Sequence, residues 1–144
     1  MRYYSYTEFI KDCKNLTKQL YSYEIDTIVA IARGGVTLGH FLSSGLDIRE
    51  LYTINSIHYD GTTKLDHFII SNIPDLSKSS KVLIVDDIVD SGETMKEILD
   101  ILSKQYPQCS FTTLSLFYKN TAVMQPDITL YEAKEWIDFF WEKV

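Results

Sequence analysis

The distribution of apolar and polar residues along the chain predicts alternating strands and helices. Thr27–Ala32 is a continuous apolar run rich in β-branched residues, which is typical of a strand buried on both faces of a parallel sheet. Three further segments of this kind predict strands: Leu51–Ile57, Val82–Val85 and Phe111–Phe117, with His67–Ile70 as a shorter candidate.

Apolar residues at helical spacing predict helices between these strands. Ser5 and Glu8 have the form of a capping box before the first helix, which ends near residue 21. Two more helices are predicted over 36–42 and 93–106. This order predicts an α/β fold in which residues 1–144 form a single domain, with a mostly parallel central sheet flanked by helices.

Composition narrows the class of protein. The 144 residues carry a net charge of −6, which argues against a protein built for non-specific binding to nucleic acid. No apolar run is long enough to span a bilayer, and Cys13 and Cys109 lack the spacing of metal ligands. We therefore expect a cytoplasmic protein with free thiols and no membrane span.

Two adjacent carboxylates, Asp86 and Asp87, follow the Val82–Val85 strand, where we expect that strand to end. Adjacent carboxylates repel each other unless a cation or hydrogen-bond donors offset their charges. A ribose diol would supply the hydrogen-bond donors, and a divalent cation would supply the opposite charge. The alternative is a solvated strand end, which explains the acid pair but not the turn that follows.

That turn, Asp90-Ser-Gly-Glu-Thr94, leads directly into the third predicted helix. Free amides at a helix start, together with the hydroxyls of Ser91 and Thr94, can surround a phosphate. The alternative is that Asp90 or Ser91 only caps the helix. Arg33-Gly-Gly35 is a weaker signal. It suits a diphosphate, but an ordinary turn between strand and helix explains it equally well.

These segments carry a resemblance to a known family. Val82–Thr94 resembles the 5-phosphoribosyl 1-diphosphate (PRPP) signature of type I phosphoribosyltransferases, and Ala32–Gly35 resembles their diphosphate loop. Lys119 and Trp136-Ile137, followed by Trp141, are similar to the base-binding hood of the bacterial xanthine-guanine enzymes. The hood would cover approximately residues 118–144.

The resemblance implies roles in PRPP binding. Asp86 and Asp87 would hold the ribose hydroxyls, with Asp87 contacting the Mg²⁺ cofactor. Arg33 and Gly34 would bind diphosphate beside a strained Ala32–Arg33 peptide, for which the resemblance leaves cis or trans open. Lys64 would add a diphosphate contact from a mobile loop over 56–64. The 5′-phosphate would lie on the turn formed by Ser91, Gly92, Glu93 and Thr94.

The resemblance also implies roles in purine binding. Asp90 would be the general acid/base at N7 of the purine. Lys119 would hydrogen-bond the 6-oxo group, Trp136 would stack on the base, and the carbonyl of Ile137 would meet its edge. Phe139-Phe140 stands where the family has a proline-containing turn. The choice among guanine, xanthine and hypoxanthine therefore stays open.

The function implied is purine salvage, in which PRPP and a 6-oxopurine give a nucleoside 5′-monophosphate and diphosphate. The resemblance also implies a homo-oligomer, either dimer or tetramer. One alternative is a regulator of the same fold that binds PRPP or nucleotide without turnover. Another is a transferase for a different nitrogen base, which would not need Trp136 and Lys119 as placed.

Overall fold

The computed structural model describes residues 1–59 and 67–144. In chain order the elements are β1 (Arg2–Tyr4), α1 (Tyr6–Leu20), β2 (Thr27–Ala32), α2 (Val36–Gly45), β3 (Leu51–Tyr59), β4 (His67–Ser71), β5 (Lys81–Val89), α3 (Glu93–Gln105), β6 (Ser110–Tyr118), β7 (Ile128–Glu132) and β8 (Ile137–Phe139). Short 3₁₀ turns follow α1 and β8, at Tyr21–Tyr23 and Phe140–Glu142.

The central sheet has six strands in the order β4-β3-β2-β5-β6-β7. All neighbouring pairs in it are parallel except β3 and β4, which pair antiparallel at the edge. A separate two-stranded sheet pairs β1 with β8 in parallel. The α/β class and the mostly parallel sheet predicted from the sequence are confirmed.

Helices cover both faces of the sheet, as the alternating strand residues require. The face containing Ile28 and Leu83 packs against α1 and α2, and the face containing Val29 and Ile84 packs against α3. The predicted capping box at Ser5 and Glu8 is present at the start of α1. Within the described residues, no helix has the length and apolar character needed to cross a membrane, and both cysteines are free thiols.

The end of β5 differs from the prediction. The strand does not stop at Val85 but continues to Val89, so Asp86 and Asp87 lie inside it. Its pairing with β2 ends at Val85, whereas its pairing with β6 continues to Val89. Hydrogen bonds to β6 therefore keep the backbone extended while the other side of the strand opens beside the turn after β2.

Three strands were not predicted: β1, β7 and β8. They are three to five residues long, which is too short for a clear alternating pattern. The segment expected to form a mobile loop begins instead as strand, because residues 56–59 pair with β4. Lys64 lies outside the described residues.

Candidate active site

A cleft of about 400 Å³ opens beyond the carboxyl ends of β5 and β6. Ligands commonly bind in this place in open α/β sheets. Its walls come from two parts of the chain, the end of β5 on one side and the segment after β7 on the other. The lining residues include five for which the family resemblance implies binding roles: Asp87, Asp90, Lys119, Trp136 and Ile137. The others, for which it implies none, are Ile88, Ala133, Lys134, Glu135, Phe139 and Glu142.

Asp86 and Asp87 form the innermost part of the site. Burial raises the pKa of both carboxyl groups, and the charge of Asp87 raises that of Asp86 further. Hydrogen bonds from backbone amides partly stabilise the two carboxylates. The amide of Asp87 donates to Asp86 Oδ1 over 2.9 Å, and the amide of Ile88 donates to Asp87 Oδ1 over 2.7 Å. No salt bridge to either group occurs among the described residues, which leaves the pair suited to a cation or to hydroxyl donors.

The turn after β2 lies directly against this acid pair. A Cβ atom on Gly34 would be 2.7 Å from Cγ of Asp87, so any side chain at this position would displace the carboxylate. The Ala32–Arg33 peptide bond is cis. The Arg33 side chain is exposed. The backbone of this turn at Gly34 is therefore packed directly against the Asp87 carboxylate.

The turn after β5 forms a second, smaller hollow of about 90 Å³, lined by residues that include Asp86, Asp90, Ser91, Gly92 and Thr94. Gly92 is the N-cap residue of α3, with φ of +82° and no side chain to cap the helix. The side chain of Ser91 accepts a hydrogen bond from the amide of Glu93 over 3.2 Å. This hydrogen bond occupies the amide of Glu93. The start of α3 lines the hollow, and helix starts, where backbone amides lack partners within the helix, are common phosphate sites.

Lys119 and Asp90 face each other at the cleft, with 2.8 Å between Nζ and Oδ1. Both are partly exposed, at 43% and 69% of their side-chain surface, so a ligand can reach them. The backbone of Lys119 is held by its amide, which donates to the carbonyl of Val89 over 2.9 Å. The Lys119 ammonium can donate a hydrogen bond to one ligand atom while the Asp90 carboxylate accepts one from the neighbouring ligand atom.

The loop after Lys119 also contacts the turn that forms the smaller hollow. The amide of Val123 donates to the carbonyl of Ser91 over 2.8 Å, and a Cβ on Gly92 would lie 2.8 Å from the backbone nitrogen of Met124. The tight packing explains why a glycine stands at position 92 in addition to its positive φ. This contact was not predicted, because residues 120–125 contain no recognisable motif.

The opposite wall of the cleft carries Trp136, which is 72% exposed. Its exposure leaves the indole face available to a ligand, whereas Trp141 packs on Phe139 with ring centroids 4.7 Å apart.

Burial and the charges of Asp87 and Asp138 raise the pKa of Glu142, and the charge of Arg33 partly offsets this effect. Asp87 and Glu142 both line the cleft, so the end of β5 and the hood border the same space.

Three comparisons with known proteins agree with this geometry. The family model described as "Phosphoribosyl transferase domain" matches residues 2–143. Xanthine-guanine phosphoribosyltransferase of Roseobacter denitrificans is 33% identical over 122 residues, covering 80% of this chain and 67% of that protein. The Helicobacter pylori xanthine-guanine-hypoxanthine phosphoribosyltransferase structure is 43% identical, with a TM-score of 0.91 over 98% of this chain and 93% of that one. A purine phosphoribosyltransferase structure from Pyrococcus horikoshii is 28% identical, with a TM-score of 0.84 over 99% and 94%.

Proposed function

Because the chain belongs to the phosphoribosyl transferase domain family, we propose that it transfers the 5-phosphoribosyl group from PRPP to a 6-oxopurine in purine salvage. The products are a nucleoside 5′-monophosphate and diphosphate. The observation that carries the proposal is the Lys119–Asp90 pair at 2.8 Å, in a cleft that also contains the exposed face of Trp136. A 6-oxopurine presents an acceptor at O6 beside N7, which matches a cation beside a carboxylate.

The chain's own residues supply most of what this reaction needs. Amides and hydroxyls of Ser91–Thr94 hold the 5′-phosphate, and Arg33 with the Gly34 backbone holds the diphosphate. Lys119 donates to O6, and Asp90 takes the proton that the purine loses as its bond to ribose forms. Trp136 stacks on the base, which fixes its plane relative to C1 of the ribose.

We propose that Mg²⁺ binds at Asp87, beside Asp86. Mg²⁺ prefers oxygen ligands and commonly uses one or two carboxylates together with substrate phosphates and water. The two adjacent carboxyl groups, whose pKa values are both raised by burial, fit that ligand set. No group of three or more metal-ligating side chains occurs among residues 1–59 and 67–144, so PRPP and water would complete the shell. When bound, the ion would neutralise charge on the departing diphosphate.

The oligomeric state and the cellular location are proposed from the family resemblance rather than from the geometry of the site. We propose a homo-oligomer, either dimer or tetramer, and a cytoplasmic location. The free thiols at Cys13 and Cys109 are compatible with a reducing compartment. Size-exclusion chromatography with light scattering would measure the oligomeric state.

A panel of bases tests the proposed reaction. The protein is incubated with PRPP, Mg²⁺ and one base at a time, and nucleotide formation is followed by chromatography. We expect turnover with hypoxanthine, guanine or xanthine and none with orotate. Nucleotide binding without turnover of any base would favour the regulator, and faster use of orotate would favour a transferase for another base.

Replacing Trp136 by Ala should raise the KM for the purine by about 5- to 150-fold, because stacking on an aromatic face contributes roughly 1–3 kcal/mol per base. The KM for PRPP should change much less. Initial rates at varied purine and PRPP concentrations give both constants. Tyr21→Ala, which removes another highly exposed aromatic residue, is the matched control. Equal increases in both KM values would contradict a stacking role.

Replacing Thr94 by Val should weaken binding of PRPP and of the product nucleotide by about 10- to 150-fold. A lost hydrogen bond to a charged group costs about 1.5–3 kcal/mol, and the two side chains have nearly the same shape. Calorimetric titration with nucleoside monophosphate measures the change. Thr7→Val on the exposed side of α1 is the control. Unchanged affinity in Thr94→Val would remove Thr94 from the phosphate site.

A further inference from the structure

Two tyrosines and one aspartate form a hydrogen-bonded group in the core below the cleft. Tyr4 donates to Asp12 Oδ2 over 2.6 Å, and Tyr131 donates to both carboxyl oxygens over 2.8 and 3.0 Å. Asp12 is 5% exposed and Tyr4 is fully buried. Burial and the hydrogen bond to Asp12 raise the pKa of Tyr4 and raise that of Tyr131 to about 12. Both phenols therefore stay protonated donors at neutral pH.

The two tyrosines belong to the strands that flank one wall of the cleft. Tyr131 lies near the end of β7, and the lining residues Ala133–Ile137 follow directly. Tyr4 lies in β1 and pairs with Phe139 in β8, just beyond that segment. Both ends of the segment that carries Trp136 therefore connect, through a phenol, to the same carboxyl group on α1.

Backbone hydrogen bonds hold this segment near its two ends: the amide of Ala133 donates to the carbonyl of Tyr118 over 2.7 Å, and β8 pairs with β1. The β1–β8 sheet contains three residue pairs, extended by one hydrogen bond of 2.9 Å from the amide of Arg2 to the carbonyl of Trp136. A two-stranded sheet of this size is marginal on its own. The Tyr4 ring adds edge contacts to Phe139 and Phe117, with centroids 5.9 and 5.2 Å apart. Tyr4, which hydrogen-bonds to Asp12, is therefore in direct contact with β8.

The chemistry of Asp12 favours a role in geometry over one in stability. Its described partners are neutral phenols, and the nearby Arg2 pairs with Glu8 instead, at 3.2 Å. A buried carboxyl group without a cation is costly compared with an apolar side chain. In return it offers two acceptor oxygens, which can orient two donors at once. Networks of this kind specify one arrangement of the elements they join.

We propose that Asp12, acting through Tyr4 and Tyr131, is a positioning residue for purine binding. It holds Trp136 and Ile137 opposite Lys119 and Asp90, at the separation that a flat base requires. The inference rests on the proposed function, since it assigns the purine to this wall of the cleft. PRPP would be bound by β2, β5 and α3, which lie outside the group.

Steady-state kinetics of Asp12→Asn and Tyr131→Phe test the proposal. An asparagine amide presents one donor in place of an acceptor, so one phenol loses its partner. We expect the purine KM to rise about tenfold or more, because a small misplacement of a binding group is costly, and the PRPP KM to stay within twofold. Adding Tyr131→Phe to Asp12→Asn should raise the purine KM less than the two single effects multiplied, since both act on one network.

Leu76→Ala provides the control for a purely structural effect. Leu76 is fully buried in the segment between β4 and β5 and lines neither the cleft nor the smaller hollow. It should lower the melting temperature yet leave both KM values unchanged. Variants of Asp12 and Tyr131 that lose thermal stability while keeping the wild-type purine KM would overturn the proposal. If Asp12→Asn does not fold, Tyr131→Phe and Tyr4→Phe, each of which removes one hydroxyl, replace it. Loss of thermal stability in these variants with a wild-type purine KM would likewise overturn the proposal.

Hydrogen exchange gives a readout that does not depend on turnover. In Tyr131→Phe, amides of residues 133–139 should exchange at least about tenfold faster while those of β5 and α3 keep their rates. Unchanged exchange over 133–139 would also overturn the proposal. A wild-type protein that converts no 6-oxopurine would instead refute the proposed function, whatever the exchange rates show.

Discussion

Replacing Asp90 by Asn is expected to lower kcat by about 10²- to 10⁴-fold, the range that a positioned general acid or base contributes. Asn keeps the size of the side chain and can still contact Lys119, but it cannot take a proton from the purine. The hollow proposed to bind the 5′-phosphate is lined by Ser91, Gly92 and Thr94, so PRPP affinity should change much less. Single-turnover rates with saturating PRPP and purine measure the chemical step directly.

Asp100→Asn serves as the control for Asp90→Asn, because it neutralises an exposed acid on α3 outside the cleft. Its kcat should equal that of the wild type. Near-native turnover in Asp90→Asn would mean that another group, or water, takes the purine proton. A large loss of PRPP affinity without a loss of kcat would assign Asp90 to the ribose phosphate instead.

Discrimination against adenine is expected to be the largest effect of all. The kcat/KM for adenine should be about 10⁴-fold below that for the best 6-oxopurine, because a site built around a donor rejects a ligand that cannot accept. The 6-amino group of adenine would face the ammonium of Lys119, donor against donor. Competition between adenine and a 6-oxopurine in one reaction measures the ratio. Comparable rates would mean that Lys119 and Trp136 do not recognise the base.

Lys119→Met tests whether that discrimination comes from the ammonium. Methionine keeps most of the side-chain volume but removes the donor. We expect kcat/KM for the 6-oxopurine to fall by about 10- to 150-fold, the cost of a hydrogen bond to a charged group, and the preference over adenine to narrow by a similar factor. Lys134→Met is the control, since Lys134 also lines the cleft and pairs with Glu132 at 3.7 Å. An unchanged preference in Lys119→Met would place the source of discrimination elsewhere in the cleft.

The chemistry of the cleft follows partly from neighbours in sequence and partly from contacts across the fold. The turn at Ser91–Thr94 is local, so its hydroxyls, glycine and helix start could be predicted together. The Lys119–Asp90 contact depends on β5 and β6 being adjacent and in register, with Val89 opposite Tyr118. Resemblance to a family suggested that both residues bind the base, but no spacing in the chain predicts their distance of 2.8 Å.

Local sequence patterns were sufficient to predict the α/β class, the strands over Thr27–Ala32 and Val82–Val85, and the capping box of α1. Those features depend on hydrophobic periodicity and on hydrogen bonds between residues a few positions apart. The extension of β5 to Val89 depends on tertiary contacts, since its pairing with β6 continues beyond its pairing with β2. The positions of β1, β7 and β8 and the contact of Tyr4 and Tyr131 with Asp12 depend on such contacts too. Asp12 and Tyr131 are 119 positions apart in the chain, and Arg2 and Ile137, which pair between β1 and β8, are farther apart still, so these contacts arise from packing that no local pattern records.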